Sequence, residues 1–133
     1  MFEIKKTFNF CYGHRLYKDQ GKCGHVHGHT GRVEIILEGE RLDNLGMLKN
    51  FDDVKQKIGE WIDKNLDHKM LLAQEDPLSK LLKDAGEKVY NLEENPTAEN
   101  IAKLVYEVAM KDGLPIKAVT FWESPTASAT YSK

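Results

Sequence analysis

A chain of 133 residues, 41% of them hydrophobic, suits one domain spanning residues 1–133 with a single modest core. Its 19 basic and 21 acidic side chains leave a formal charge of -2, too weak a field to hold a nucleic-acid backbone or an anionic membrane, so an anionic ligand must be gripped locally. The N-terminal "MFEIKKTFNF" lacks the continuous apolar run of an export signal or membrane span, which points to the cytoplasm and to Cys11 and Cys23 as free thiols.

From Phe2 to His14 the even positions carry Phe2, Ile4, Phe8, Phe10, Tyr12 and His14, with Lys6 the one exception, and this period of two predicts a strand with His14 near its end. "RLYKDQGKCG" has charges, two glycines and no usable period, and reads as an excursion between strands. A second strand rich in Val and Ile is expected over about His27 to Leu37, ended by "EGERLDNLG". Phe51, Val54, Ile58, Trp61 and Ile62 then recur at helical spacing. Asn50 can cap that helix, Asp52 and Asp53 suit its positive end, and "LDH" lies at or beyond its other end.

A shorter helical turn is expected over Pro77 to Lys83, followed by an extended piece at "EKVYNL". "NPTAENIAKLVYEVAMKDG" predicts a further helix, with Asn95 or Thr97 as cap, Ile101, Leu104, Val105 and Val108 as the apolar stripe and Gly113 as the stop. "KAVTFWES" and "SATYSK" predict two closing strands around Pro125. The order predicts an α+β fold: an antiparallel four-stranded sheet of two hairpins, with two helices on one face. The other face and the sheet edges remain to be covered, which makes self-association the expectation.

The chemistry concentrates in "KCGHVHGHT", Lys22 to Thr30. His27 and His29 are two apart, so on a strand their imidazoles leave one face and converge on one ion. His25 shares that parity, and geometry does not exclude it. His14, at the end of the neighbouring strand, is placed to supply a third nitrogen, making a three-His site with the open position of a catalytic zinc. The plain alternative is a set of solvated imidazoles in a Gly-rich turn. Cys23 lies too close to His27 to share a shell that the three histidines fill. Its sharper role is a nucleophile or base beside the ion, which favours the thiolate, and its plain role is a small buried hydrophobe, the reading preferred for Cys11.

Asp67 and His68 are adjacent, and a carboxylate beside an imidazole orients it for acid–base work; a histidine also suits a helix C-terminus for dipole reasons alone. Glu123 shares strand parity with Val119 and Phe121, a costly place for a carboxylate unless it is paired or bound to a ligand. By spacing alone a strand-end glutamate reaching solvent is the better reading.

Taken together, "CGHVHGH", "LDHKML", "NPTAENIA" and "FWESPTASATY" resemble, in order and over nearly the whole chain, the family of 6-pyruvoyl-tetrahydropterin and 6-carboxytetrahydropterin synthases. The most specific element is Cys-x3-His-Gly-His with an upstream His and a downstream Asp-His. The resemblance implies zinc at His14, His27 and His29, a catalytic set of Cys23, Asp67 and His68, Glu123 as the anchor of a pterin ring, and Thr97 as a residue lining the pterin pocket from a neighbouring subunit. It implies the tunnelling fold (T-fold), whose hairpins join into a trimeric barrel, with two trimers often stacked, so that Cys23 and the Asp67–His68 pair come from different chains. The implied activity is that of a lyase acting on 7,8-dihydroneopterin triphosphate. The compact chain favours the carboxy enzyme of the queuosine pathway; the pyruvoyl enzyme, or a non-catalytic zinc-binding module, is the alternative.

Overall fold

The period-two N-terminus forms β1 (Phe2–His14), antiparallel to β2 (His27–Gly39) along its whole length, from Phe2 opposite Gly39 to His14 opposite His27. The computed structural model describes residues 1–133. Because side chains alternate across a strand, Phe8, Phe10, Tyr12 and His14 share one face with Val33, Ile35 and Leu37 and turn inward, whereas Thr7, Asn9 and Cys11 are exposed. The excursion between them holds a single 3-10 turn (Lys22–Gly24).

The first helical stretch is capped by the Asn50 side chain, which accepts from the Asp52 N–H, and runs continuously through α1 (Phe51–Val54), a π turn (Lys55–Gly59) and α2 (Glu60–Asn65). Its fully buried side chains, Val54, Ile58, Ile62 and Leu66, recur every four residues. On an ideal helix of 3.6 residues per turn such a stripe drifts sideways, and the wider π turn takes up the drift, keeping all four on the sheet. Gly59 lets this helix come close: a Cβ there would stand 2.8 Å from the Phe8 ring.

The middle of the chain corrects the four-stranded expectation. After α2 the chain forms β3 (Lys69–Ala73), then α3 (Leu78–Asp84) and β4 (Val89–Leu92). β3 runs parallel to β1, pairing Tyr12–His14 with residues 69–71, and β4 runs parallel to β3. The helical turn and the extended piece expected in this segment are both present. The missed strand is "KMLLA", whose Leu71, Leu72 and Ala73 are buried in succession, so no alternation betrays it.

Thr97, rather than Asn95, caps α4 (Ala98–Lys111), accepting from the Asn100 N–H at 3.1 Å, and Gly113 ends it at φ 77°. The closing hairpin, β5 (Ile116–Ser124) and β6 (Ala127–Ser132), pairs β5 with β2. The result is a mixed six-stranded sheet in the order β4-β3-β1-β2-β5-β6, with α1, α2 and α4 over one face around a core that includes Phe121, Ile35, Ile58 and Ile101, while α3 packs on the opposite side of β3 and β4, where its Ser79 and Lys83 bond Asn91. β6 leaves one open edge. A second runs along β1, because β3 covers only its last three residues. No helix is long and apolar enough to cross a membrane.

One ion pair ties the new segment to β1. Arg15, directly after His14, donates through Nε and Nη2 to the fully buried carboxylate of Asp76, at 2.8 and 2.5 Å, and Asp76 also accepts from the Leu78 N–H that opens α3. The Arg15 guanidinium holds the Asp76 carboxyl below its usual range. A depressed carboxyl pKa stabilises the fold above the unfolded value near 3.9, and that contribution is lost as pH falls through the lowered folded value. Asp76→Asn is therefore expected to cost about 2 kcal/mol at neutral pH, below the value for a fully buried pair because Arg15 keeps some access to water. Thermal melts as a function of pH should show the gap from the parent closing below pH about 4.

Candidate metal centre and active site

The β1–β2 register places His14 opposite His27 and Tyr12 opposite His29, all on the helix-covered face, and β5 brings Glu123 beside them at the same parity as Phe121. The alternation seen in the sequence thus becomes a cluster. His14, His27, His29 and Glu123 offer ligand atoms that all lie within 4.8 Å of one another. The three imidazoles stand edge to face, with ring centroids 4.5 to 5.1 Å apart.

Two main-chain carbonyls define what these rings present. His14 Nδ1 lies 2.8 Å from Pro96 O and His27 Nδ1 lies 2.7 Å from His25 O, and a carbonyl only accepts, so in both rings the proton sits on Nδ1. Nε2 of each ring then carries a lone pair, and these two atoms face each other 3.0 Å apart. Neutral imidazoles in this tautomer have no proton to share across that gap. His29 Nε2 is buried without an aligned hydrogen-bond partner, although Glu123 Oε1 lies 2.8 Å away. Converging lone pairs oriented from behind by carbonyls are the arrangement that a borderline cation such as Zn2+ satisfies, so the residues fit a metal.

The surroundings favour the same neutral state. His14 is 2% exposed, and burial lowers its pKa, against an opposing pull from its bond to Pro96, so it stays unprotonated and able to ligate. The Tyr12 hydroxyl, buried and without a partner beside this cluster, has its pKa pushed up by burial and by the charge of Glu123. Glu123 itself does not simply reach solvent, as spacing alone suggested. Its carboxylate turns back onto His29, and it lies 3.7 Å from His14.

Cys23 is an exposed free thiol in the 3-10 turn, and its carbonyl accepts from the Leu16 N–H, which brings the turn back to the chain just beyond His14. Cys11, read from the sequence as a buried hydrophobe, is exposed instead, because it alternates with Tyr12 and so faces away from the core. His25 contributes its carbonyl to His27, a role no sequence pattern encodes.

Asp67 and His68 form the expected pair, with His68 Nδ1–H donating to Asp67 Oδ2 at 2.8 Å and the other carboxylate oxygen accepting from the Cys11 N–H at 3.0 Å. Burial alone would raise the Asp67 pKa, but these two donors outweigh it and hold the carboxyl below its usual range. His68 adopts φ 58° and is exposed, and its bond to Asp67 uses Nδ1 and leaves Nε2 outside that pair. His68 opens onto a pocket of about 460 Å³ with Cys11, Met70 and Lys88, which holds none of the metal-cluster residues and not Cys23. One chain therefore brings the three histidines and Glu123 together, and does not bring Asp67 and His68 to them. Thr97 spends its oxygen on capping α4, directly after the Pro96 carbonyl that orients His14.

Comparison with known proteins places this geometry. The family model described as 6-pyruvoyl tetrahydropterin synthase matches residues 3–133. The chain is 39% identical over 104 residues to 6-carboxy-5,6,7,8-tetrahydropterin synthase of Rickettsia bellii, covering 77% of this chain and 75% of that one. It is 29% identical to the protein of the same name from Haemophilus influenzae, across 100% of both chains. In fold it is similar to the 6-pyruvoyl tetrahydropterin synthase of Caenorhabditis elegans, with a TM-score of 0.75 at 22% identity, covering 99% of this chain and 95% of that one.

Proposed function

The chain belongs to the 6-pyruvoyl tetrahydropterin synthase family, and from that premise we propose that it is a zinc-dependent lyase converting 7,8-dihydroneopterin triphosphate to 6-carboxy-5,6,7,8-tetrahydropterin, acetaldehyde and triphosphate, a step of queuosine biosynthesis. The carboxy product is favoured by the relatives that bear that enzyme's name. The observation that carries the reading is the convergence of His14, His27 and His29, with two of the three tautomers set from behind by main-chain carbonyls.

In this reading the three histidines hold zinc. When bound, the ion supplies Lewis-acid polarisation of a substrate oxygen. Cys23 removes a proton at the substrate side chain, and His68, oriented by Asp67, is the complementary acid or base. Glu123, half-exposed next to the cluster, accepts from the amino and ring N–H groups of the pterin, and Thr97 lines the same pocket. With that role, Glu123→Gln is expected to keep zinc but lower kcat/KM about 10- to 100-fold, chiefly through KM, because a charged acceptor is worth about 1.5–3 kcal/mol. Zinc analysis alongside steady-state kinetics checks it; loss of zinc would make Glu123 a ligand instead.

The separation of Asp67 and His68 from the histidines within one chain supports a site completed by a second copy, and the open edges of β1 and β6 supply the surfaces for a trimer or a dimer of trimers. Two free thiols suit the reducing cytoplasm. The deciding experiment is incubation of the zinc-loaded protein with 7,8-dihydroneopterin triphosphate and identification of the products. Acetaldehyde with a carboxypterin is expected. A pyruvoyl product would assign the sister activity, and no turnover would leave a zinc-binding module.

A further inference from the structure

The excursion that carries Cys23 has almost no structure of its own: one 3-10 turn, no buried residue in it, and Lys18 at φ 71°, a conformation an L-residue other than glycine, asparagine or aspartate rarely holds unaided. A thiol on such a loop needs its place set from outside. The base of the loop closes through the Leu16 N–H to the Cys23 carbonyl at 2.7 Å, and the next residue is gripped at both main-chain groups by one side chain. The Tyr17 N–H donates to Asn95 Oδ1 at 2.8 Å, and Asn95 Nδ2 donates to the Tyr17 carbonyl at 3.1 Å.

Asn95 is itself held. Its carbonyl accepts from Asn100 Nδ2 and from the Thr97 N–H, both at 2.8 Å, which ties it to the first turn of α4. The residue that follows it, Pro96, supplies the carbonyl that orients His14. One short piece of chain at the head of α4 thus touches the histidine cluster with its main chain and the Cys23 loop with its side chain.

We infer that Asn95 is a positioning residue, which holds the Cys23 loop in register with the three-histidine cluster. The inference rests on the reading of Cys23 as a reacting group, and its side-chain amide is the right tool, since only a group that donates and accepts in one plane matches both main-chain groups of Tyr17. Asn95→Ala removes both bonds. Asn95→Asp keeps the acceptor for the Tyr17 N–H and turns the donor into a second acceptor facing a carbonyl. Neither change alters the Pro96 carbonyl or a metal donor.

The test uses the full-length zinc-loaded protein. For Asn95→Ala, kcat is expected to fall about 10- to 100-fold with KM within about threefold, the scale of a misplaced reacting group, while zinc content stays at the parental value. Independently of turnover, the rate of Cys23 alkylation by iodoacetamide, read by peptide mass spectrometry with exposed Cys11 as internal reference, should change several-fold, with Asn95→Asp between Ala and the parent. Parental kcat and a parental Cys23-to-Cys11 ratio in Asn95→Ala overturn the inference. If Asn95→Ala does not fold, the same two measurements on Asn95→Asp decide, and parental values overturn it. Because the alkylation ratio needs no turnover, it still reports on Asn95 where Cys23→Ala retains activity and the assigned role of Cys23 falls.

Discussion

Cys23→Ala is expected to leave zinc content and melting temperature at their parental values and to lower turnover by about 10³-fold, within the range of a lost proton-transfer group. The structure separates the two effects. Cys23 is exposed and contributes nothing to the core, and its one hydrogen bond to the rest of the loop uses its carbonyl, which alanine keeps. A surface substitution of this kind changes stability by less than about 0.5 kcal/mol. The cluster that could hold a metal, His14, His27, His29 and Glu123, does not include Cys23, so the metal is expected to stay. Activity assays beside zinc analysis of the same preparation check both halves, and a variant as active as the parent would remove Cys23 from the mechanism.

His27→Ala is expected to lose metal and activity together. Disturbing the groups behind a ligand already costs about 10- to 100-fold in affinity, and removing the ligand should cost more, about 10³-fold or above. Binding linkage then predicts a further difference. At a zinc concentration about 1,000 times the parental dissociation constant the parent gains roughly 4 kcal/mol, and the variant about 0.4 kcal/mol or less. Without metal the order is expected to reverse or level, because His27 is only half-buried and its removal relieves the facing lone pairs of His14 and His27 at 3.0 Å. Melts with and without zinc make the comparison. His14→Ala is the poorer probe, since that ring is buried and its loss leaves a cavity.

Much of this was legible along the chain. β1, β2 and α4 follow from periods of two and of about three and a half, and the His27–His29 pair and the alignment of Glu123 with Phe121 follow from strand parity alone. β3 was not legible, because a strand buried in succession between two parallel neighbours has no polar face to alternate. The exposure of Cys11 followed from the same parity that buries Tyr12, yet its small apolar character pointed the other way.

What the sequence determined by itself is local: which residues share a face, where helices start and stop, and that three imidazoles and a thiol fall within reach of one strand pair. Tertiary structure alone decided which carbonyls orient those imidazoles, that Glu123 turns back onto His29, and that His68 faces a pocket that holds none of the metal-cluster residues. The physical reason is distance along the chain. Backbone periodicity constrains neighbours two to four residues apart, whereas the bonds of His14 to Pro96, Tyr17 to Asn95 and Cys11 to Asp67 span 82, 78 and 56 residues and exist only once the sheet and α4 have packed.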